Sequence, residues 1–163
     1  MDLSNKESFL ISVCGPDRID VVLKQWQQLT LYLPIHHAKP FGMPIPEHLE
    51  NQLRHTLEKC IERDDAMVFI AEGEKVYGTI AVILNQQTAY TQPNSSVLFN
   101  LWVEPDQRRK GIGQALVADA KQWLKAQGVT SVQAGWHPGN PEADRFWLKQ
   151  GFSPYETIGS AFL

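Results

Sequence analysis

The residues best suited to chemistry lie in one basic stretch with two glycines, Arg108-Arg109-Lys110-Gly111-Ile112-Gly113. An apolar run that predicts a strand precedes it, and a pattern that predicts a helix follows it. The first N–H groups of a helix have no partner within the helix, and the helix dipole adds positive potential there. Because glycines also let a ligand approach the backbone closely, the stretch predicts a pyrophosphate site.

Two other phosphate-binding patterns do not fit this stretch. A P-loop would need Gly-x-x-x-x-Gly-Lys-Ser/Thr, which the sequence lacks. The dinucleotide-binding fingerprint would need a third glycine at position 116, which is Leu116. A solvated basic turn that binds nothing stays open as the alternative.

Size, composition and charge bound the class of protein. The 163 residues are the length of one ordinary domain, spanning residues 1–163, and 43% are apolar. The net charge of −3 argues against a nucleic-acid-binding domain. No apolar run approaches the roughly 20 residues that cross a bilayer, and the N-terminus lacks a secretory signal. We therefore expect a cytoplasmic protein with no membrane or nucleic-acid partner, in which Cys14 and Cys60 are buried, reduced thiols.

Hydrophobic patterning predicts the elements that position the basic stretch. Strands are expected at residues 9–14, 67–71, 76–84, 97–103, 130–136, 152–155 and 158–163. Helices are expected from Asp17 as N-cap to residue 33, from Pro46 to residue 61, and at residues 111–127 and 141–150, the last capped by Asn140. The order β-α-α-β-β-β-α-β-α-β-β predicts an α+β sheet with helices on both faces.

The strand before the basic stretch is expected to be central, because it is apolar on both faces. Simple alternation predicts one face made of Val97, Phe99, Leu101 and Val103. It predicts the other face from Leu98, Asn100 and Trp102.

Two blocks of the sequence resemble the GNAT (GCN5-related N-acetyltransferase) superfamily. Arg108 to Gly113 is similar to the signature Arg/Gln-x-x-Gly-x-Gly/Ala. The second block of the family is Asn-x-x-Ala-x-x-Leu/Phe-Tyr-x-x-x-Gly-Phe, and here it is matched by Asn140-Pro141-Glu142-Ala143, Phe146-Trp147 and Gly151-Phe152. The resemblance implies the GNAT fold, with a mixed, mostly antiparallel sheet of about six or seven strands. It also implies an enzyme that uses acetyl-CoA as cosubstrate.

The resemblance implies a cofactor site along the central strand. Backbone groups of Leu101 and Val103 would pair with the pantetheine arm, in a slot opened where this bulged strand splays from residues 130–136. Backbone N–H groups from Arg109 to Gln114 would hold the pyrophosphate. The expected cofactor contacts are Leu101, Trp102, Val103, Arg108, Arg109, Lys110, Gly111, Ile112, Gly113, Gln114, Asn140 and Trp147.

Both usual catalytic positions of the family are replaced. The tyrosine that acts as general acid aligns with Trp147, whose indole N–H is not an acid in this range. The glutamate base of relatives that acetylate a ribosomal protein's N-terminus aligns with Gly135. His137 and Tyr155 are the candidate catalytic substitutes, although purely structural roles are open for both.

The acceptor side of the family lies over the first two helices and their connecting loop. Here that places Trp26, Tyr32, His36 and Phe41 as expected substrate contacts, with a packed loop as the alternative. His36 and His37 are adjacent and do not converge on one ion, so no metal is expected.

The hypothesis is direct acetyl transfer, in a ternary complex, to a primary amine of a small molecule or peptide. Two alternatives stay open: a protein lysine or N-terminal acetyltransferase, and a catalytically weak acyl-CoA-binding regulatory module. A homodimer is consistent with the resemblance, since family members are often dimers.

Overall fold

The computed structural model describes residues 8–33, 47–85 and 95–157, which form five strands and four α-helices. They are β1 (Leu10–Val13), α1 (Ile19–Tyr32), α2 (Leu49–Glu62), β2 (Ala66–Glu72), β3 (Val76–Asn85), β4 (Ser95–Val103), α3 (Ile112–Ala126), β5 (Ser131–Ala134) and α4 (Pro141–Lys149). The predicted order is confirmed through α4. None of these helices is long and apolar enough to span a membrane.

The sheet has the strand order β1-β2-β3-β4-β5. Neighbours are antiparallel from β1 to β4, and β5 runs parallel to β4. The predicted α+β class with a mixed, mostly antiparallel sheet is confirmed, with five strands among the described residues rather than six or seven.

The predicted strand at residues 152–155 is wrong, because Phe152 packs into the core after α4 and the exposed residues 153–155 pair with no strand among the described residues. Gly151, at φ 85°, ends the helix, and Phe152 N–H donates to the Trp147 carbonyl at 3.1 Å. The Phe152 ring then packs edge-on against Trp147, with centroids 5.0 Å apart. The predicted strand at residues 158–163 lies outside the described residues.

Helices cover both faces of the sheet, as predicted. On one face α1 and α2 bury Val22, Trp26 and Leu57 against β2 and β3. On the other face α3 buries Leu116 and α4 contributes Trp147. Each fully buried side chain of this size stabilises the fold by about 1.5–3 kcal/mol, so both layers hold the sheet in place.

A β-bulge at Asn100 interrupts β4. Thr79 pairs with Trp102 and Ala81 pairs with Phe99, so β4 has one more residue than β3 over this interval. Asn100 adopts φ 51°, in the left-handed region that Asn tolerates. The resemblance implied a bulge in this strand but gave no position for it.

The extra residue overturns the predicted faces of β4. Phe99 packs with the core under α1 and α2, whereas Leu101 and Val103 pack with the core under α3. The prediction that Val97, Phe99, Leu101 and Val103 share one face is therefore wrong, since one inserted residue reverses the alternation beyond it.

The predicted N-cap of α1 is also wrong. Asp17 lies within a 3-10 turn (Pro16–Arg18), and no side chain caps the helix that begins at Ile19. The Asp17 carboxylate instead accepts from Arg18 Nη1 at 3.0 Å. Pro16 has a fixed φ that suits this short turn, which displaces the helix start.

Candidate functional site

A gap opens between β4 and β5. The two strands pair only between residues 95–98 and 131–134, and β4 continues through residues 99–103 paired with β3 but not with β5. Glu104 N–H donates to the Tyr77 carbonyl at 2.8 Å, so it points at β3. Because strand backbone groups alternate, those of Leu101 and Val103 point away from β3, into the gap. This is the edge on which pantetheine is expected to pair.

The N-terminus of α3 lies just beyond the end of β4. Gly111 precedes the helix at φ 87°, and no side chain caps it. The N–H groups of Ile112, Gly113 and Gln114 therefore have no partner within the helix. With the dipole of a 15-residue helix behind them, these groups make this end of α3 suited to an anion, and it is called the anion-binding end below.

The three basic residues before α3 are not equivalent. Arg108 Nε donates to the Val103 carbonyl at 3.0 Å, and its Cζ lies 4.9 Å from the Trp102 ring centroid and 5.4 Å from that of Tyr32. Arg109 is exposed, at φ 66°. Lys110 is exposed, and its Nζ donates to Gln107 Oε1 at 3.0 Å. Arg108 is thus committed to β4 and α1, while the other two charges lie at the surface.

Gly111 and Gly113 differ in the surroundings that a side chain would meet. A Cβ at Gly111 would meet no atom within 4 Å, so its positive φ is what requires glycine. A Cβ at Gly113 would lie 3.2 Å from Phe146 Cε2. Gly113 therefore lets α3 pack closely on α4, and a larger residue would have to displace the Phe146 ring slightly.

Trp147 lies in an aromatic cluster between β5 and α4. It is only 6% exposed, and its ring stacks on Trp136 with centroids 6.2 Å apart and planes at 22°. Trp136 Nε1 in turn donates to Asp144 Oδ1 at 2.9 Å. The structure thus places this expected cofactor contact in the core. Sequence reasoning missed Trp136 and Asp144, because nothing in their spacing indicates a hydrogen bond.

Asn140 caps α4. Its Oδ1 accepts from Ala143 N at 3.1 Å, which confirms the predicted N-cap. A contact between its amide and pantetheine stays a prediction.

The candidate catalytic residues lie in different surroundings. His137 is half-buried in the loop after β5, where its Nδ1 accepts from Gly139 N at 2.9 Å. Tyr155 is 72% exposed, in the stretch after α4 that forms no strand. At Gly135 an added Cβ would meet no atom within 4 Å. Catalytic roles for His137 and Tyr155 stay predictions.

The expected acceptor contacts differ in burial. Trp26 is fully buried, with its ring centroid 6.0 Å from that of Phe99. Tyr32 is half-buried at the end of α1 and lies edge-on to Trp102, at 5.9 Å between centroids. His36 and Phe41 lie outside the described residues.

A buried glutamine that sequence reasoning missed ties α1 to the start of the β4–α3 loop. Gln25 is 1% exposed, and its Nε2 donates to the Val76 carbonyl at 3.1 Å and to Glu104 Oε1 at 3.0 Å. Glu104 is held by this bond and by its backbone bond to β3, so it is not a free loop acid. The only sequence signal for this buried glutamine is the helical period of α1, which places position 25 on the side that faces the sheet.

Both cysteines are free and buried, as predicted. Burial raises the pKa of the Cys14 thiol to about 11 and also raises the pKa of the Cys60 thiol. Since the thiolate is the nucleophilic form, neither side chain is suited to carry an acyl group at neutral pH.

The sequence model of the acetyltransferase (GNAT) family matches residues 27–152. The chain therefore belongs to the GNAT acetyltransferase family. Spermidine N(1)-acetyltransferase of Thermoplasma acidophilum is 30% identical over 70 residues, which cover 43% of this chain and 44% of that protein. The match thus spans less than half the length of this curated relative.

Solved structures share the fold over nearly the whole chain. A GCN5-related N-acetyltransferase from Ralstonia eutropha JMP134 superposes with a TM-score of 0.75 at 14% identity, covering 95% of this chain and 99% of that one. AAC(6')-Iy, in complex with the bisubstrate analogue CoA-S-monomethyl-acetylneamine, superposes with a TM-score of 0.72 at 17% identity, covering 96% and 98%. At these identities the likeness shows the fold.

Proposed function

We propose that this acetyltransferase transfers an acetyl group from acetyl-CoA to a primary amine of a small molecule or peptide. The observation that carries the proposal is that β4 runs on through residues 99–103 after its last pair with β5. Pantetheine has amide groups that can pair with such an edge, and a pyrophosphate matches the uncapped N-terminus of α3. The residues present therefore fit the donor.

The donor supplies a thioester, whose acetyl group is already activated. The chain must stabilise the negative charge that develops on the carbonyl oxygen. A backbone N–H in the gap, such as that of Val103, would do so in a fixed position. The acceptor must also lose a proton, because an alkylammonium with a pKa near 10 is only roughly 0.1% neutral at pH 7, a cost of about 4 kcal/mol.

Direct transfer between two bound substrates agrees with the described residues. The protonated, buried thiols of Cys14 and Cys60 do not favour an acyl-enzyme on cysteine. The acceptors in the names of the relatives, spermidine and a neamine derivative, are small amines. We therefore infer a small-molecule amine ahead of a protein lysine or N-terminus.

A catalytically weak acyl-CoA-binding module is the second candidate. It is favoured by the burial of Trp147 where many relatives have a tyrosine acid, and by Gly135 where some have a glutamate base. Release of CoA during turnover with any amine would exclude it.

The donor site is tested by calorimetric titration of acetyl-CoA into the wild-type protein and into Gln114→Glu. Gln114 is exposed in the first turn of α3, where a carboxylate favours the helix but repels a pyrophosphate. We expect the variant to fold as well as the wild type and to bind about three- to tenfold more weakly at low salt. Gly113→Asp is less informative, since its side chain would also clash with Phe146.

Gln122→Glu is the matched control, because it makes the same charge change at an exposed site in the C-terminal half of α3, away from the anion-binding end. We expect it to bind acetyl-CoA like the wild type. If the wild type does not bind, or if both variants bind equally, the proposed donor site is wrong. If the wild type binds acetyl-CoA and Gln114→Glu binds it more weakly, the next measurement is CoA release with spermidine, neamine and a short peptide as acceptors.

A further inference from the structure

Arg108 joins three parts of the molecule that are far apart in the sequence. Its Nε donates to the carbonyl of Val103, the last residue of β4. Its guanidinium also lies over the rings of Trp102, in β4, and Tyr32, the last residue of α1. One side chain of the β4–α3 loop thus contacts both the strand at the gap and the helix that leads to the acceptor side.

Arg108 packs against two aromatic side chains that also contact each other. Trp102 is 6% exposed, and its ring meets that of Tyr32 at 74°. Arg108 itself is partly buried against them. A cation over aromatic rings gains most where water is excluded, and a charged N–H donor strengthens the bond to the carbonyl. These contacts therefore fix the loop more firmly than an exposed arginine would.

These contacts hold the Arg108 guanidinium against Val103 and the two rings, and this placement disfavours a bond from it to a phosphate. Arg108 adopts an extended backbone, at φ −66° and ψ 156°, and the chain turns at Arg109 before α3 begins. The groups left at the anion-binding end are the helix N–H groups and the exposed Arg109 and Lys110. The first residue of the motif thus has a different task from the residues that follow it.

We propose that Arg108 is a positioning residue that holds the end of α1 against the end of β4, so that acceptor and donor sites keep a fixed geometry. The proposal rests on the proposed function, because it concerns the alignment of the two substrates. A misplacement of about 1 Å can cost a hundredfold in rate, so loss of this contact should lower turnover more than donor binding.

The test compares Arg108→Lys and Arg108→Met with the wild type. Lysine keeps the positive charge but has neither the Nε donor nor the planar group that covers two rings. We expect both variants to lower kcat for CoA release by about three- to thirtyfold, while the Kd for acetyl-CoA changes less than about threefold. Circular dichroism and thermal unfolding check that each variant folds.

A double-mutant cycle with Tyr32→Leu separates positioning from general disturbance. Because the two side chains act through one contact, Arg108→Met combined with Tyr32→Leu should lower kcat little further than the worse single variant. Arg54→Met is the matched control, since Arg54 is an arginine of α2 that pairs with Asp20 at 2.9 Å, away from the loop. It should leave kcat unchanged.

The outcomes are distinguishable. A wild type that binds no acetyl-CoA, or releases no CoA with any amine, removes the proposed function, and the positioning role falls with it. Suppose instead that the wild-type protein releases CoA. An unchanged kcat in Arg108→Lys would then overturn the positioning role alone. So would a double variant in which the reductions in kcat of the two single variants multiply. Weaker donor binding with unchanged kcat in Arg108→Met would assign Arg108 to the phosphates instead.

Discussion

Gly78 shows how closely β3 and β4 approach at the end of β4. A Cβ on Gly78 would lie 2.6 Å from the Trp102 carbonyl oxygen and 3.3 Å from Val103 Cγ2. The first of these is a backbone atom in a paired strand, which cannot move aside cheaply. We expect Gly78→Ala to lower the free energy of unfolding by about 1–3 kcal/mol, measured by urea denaturation.

Gly135→Ala is the control for that substitution. It adds the same methyl group where no atom lies within 4 Å, so its free energy of unfolding should stay within about 0.5 kcal/mol of the wild type. Equal stability of the two variants would show that β3 and β4 are not packed this closely.

At the residue scale, the sequence predicts types of site better than directions of side chains. The motif from Arg108 to Gly113 correctly indicates a strand, a turn and a helix N-terminus. It cannot show that Arg108 faces Tyr32, or that Gly113 faces Phe146, because these contacts depend on how distant elements pack. The burial of Trp26 and Trp147 is a property of the packed core in the same way.

At the element scale, α4 depends on its cap. Asn140 Oδ1 satisfies the Ala143 N–H, so Asn140→Ala should cost about 0.5–2 kcal/mol of stability. Asn140→Ser keeps a capping oxygen and should be close to the wild type in urea denaturation. If the Asn140 amide also binds pantetheine, the serine variant will bind acetyl-CoA several-fold more weakly by calorimetry. Wild-type affinity in Asn140→Ser would leave Asn140 as a cap only.

Element types were predictable because each described helix buries one periodic stripe. Leu116, Ala120 and Leu124 of α3 are an example, and all three are buried. The faces of β4 beyond Asn100 were not predictable from alternation, since nothing in the local pattern marks an inserted residue. The local pattern likewise predicts that Phe152 begins a strand, but the Phe152 ring packs against Trp147 in the core.

At the scale of the whole molecule, β5 joins the rest of the sheet along only part of β4. Pairing of β5 with β4 stops at Leu98, while pairing of β3 with β4 continues to Val103. On the proposed function, the donor completes this incomplete edge and also contacts the N-terminus of α3. Ligand binding should therefore stabilise the whole fold and not only the loop before α3.

We expect acetyl-CoA at 100 times its Kd to raise the free energy of unfolding by about 2.7 kcal/mol. For a domain of this size that corresponds to an increase in Tm of about 5–10 °C in a thermal melt. ADP at the same concentration should raise Tm much less, because it offers a pyrophosphate to α3 but no pantetheine to the edge formed by Leu101 and Val103. An equal shift with ADP would place the binding energy at the helix alone and contradict a role for the gap between β4 and β5.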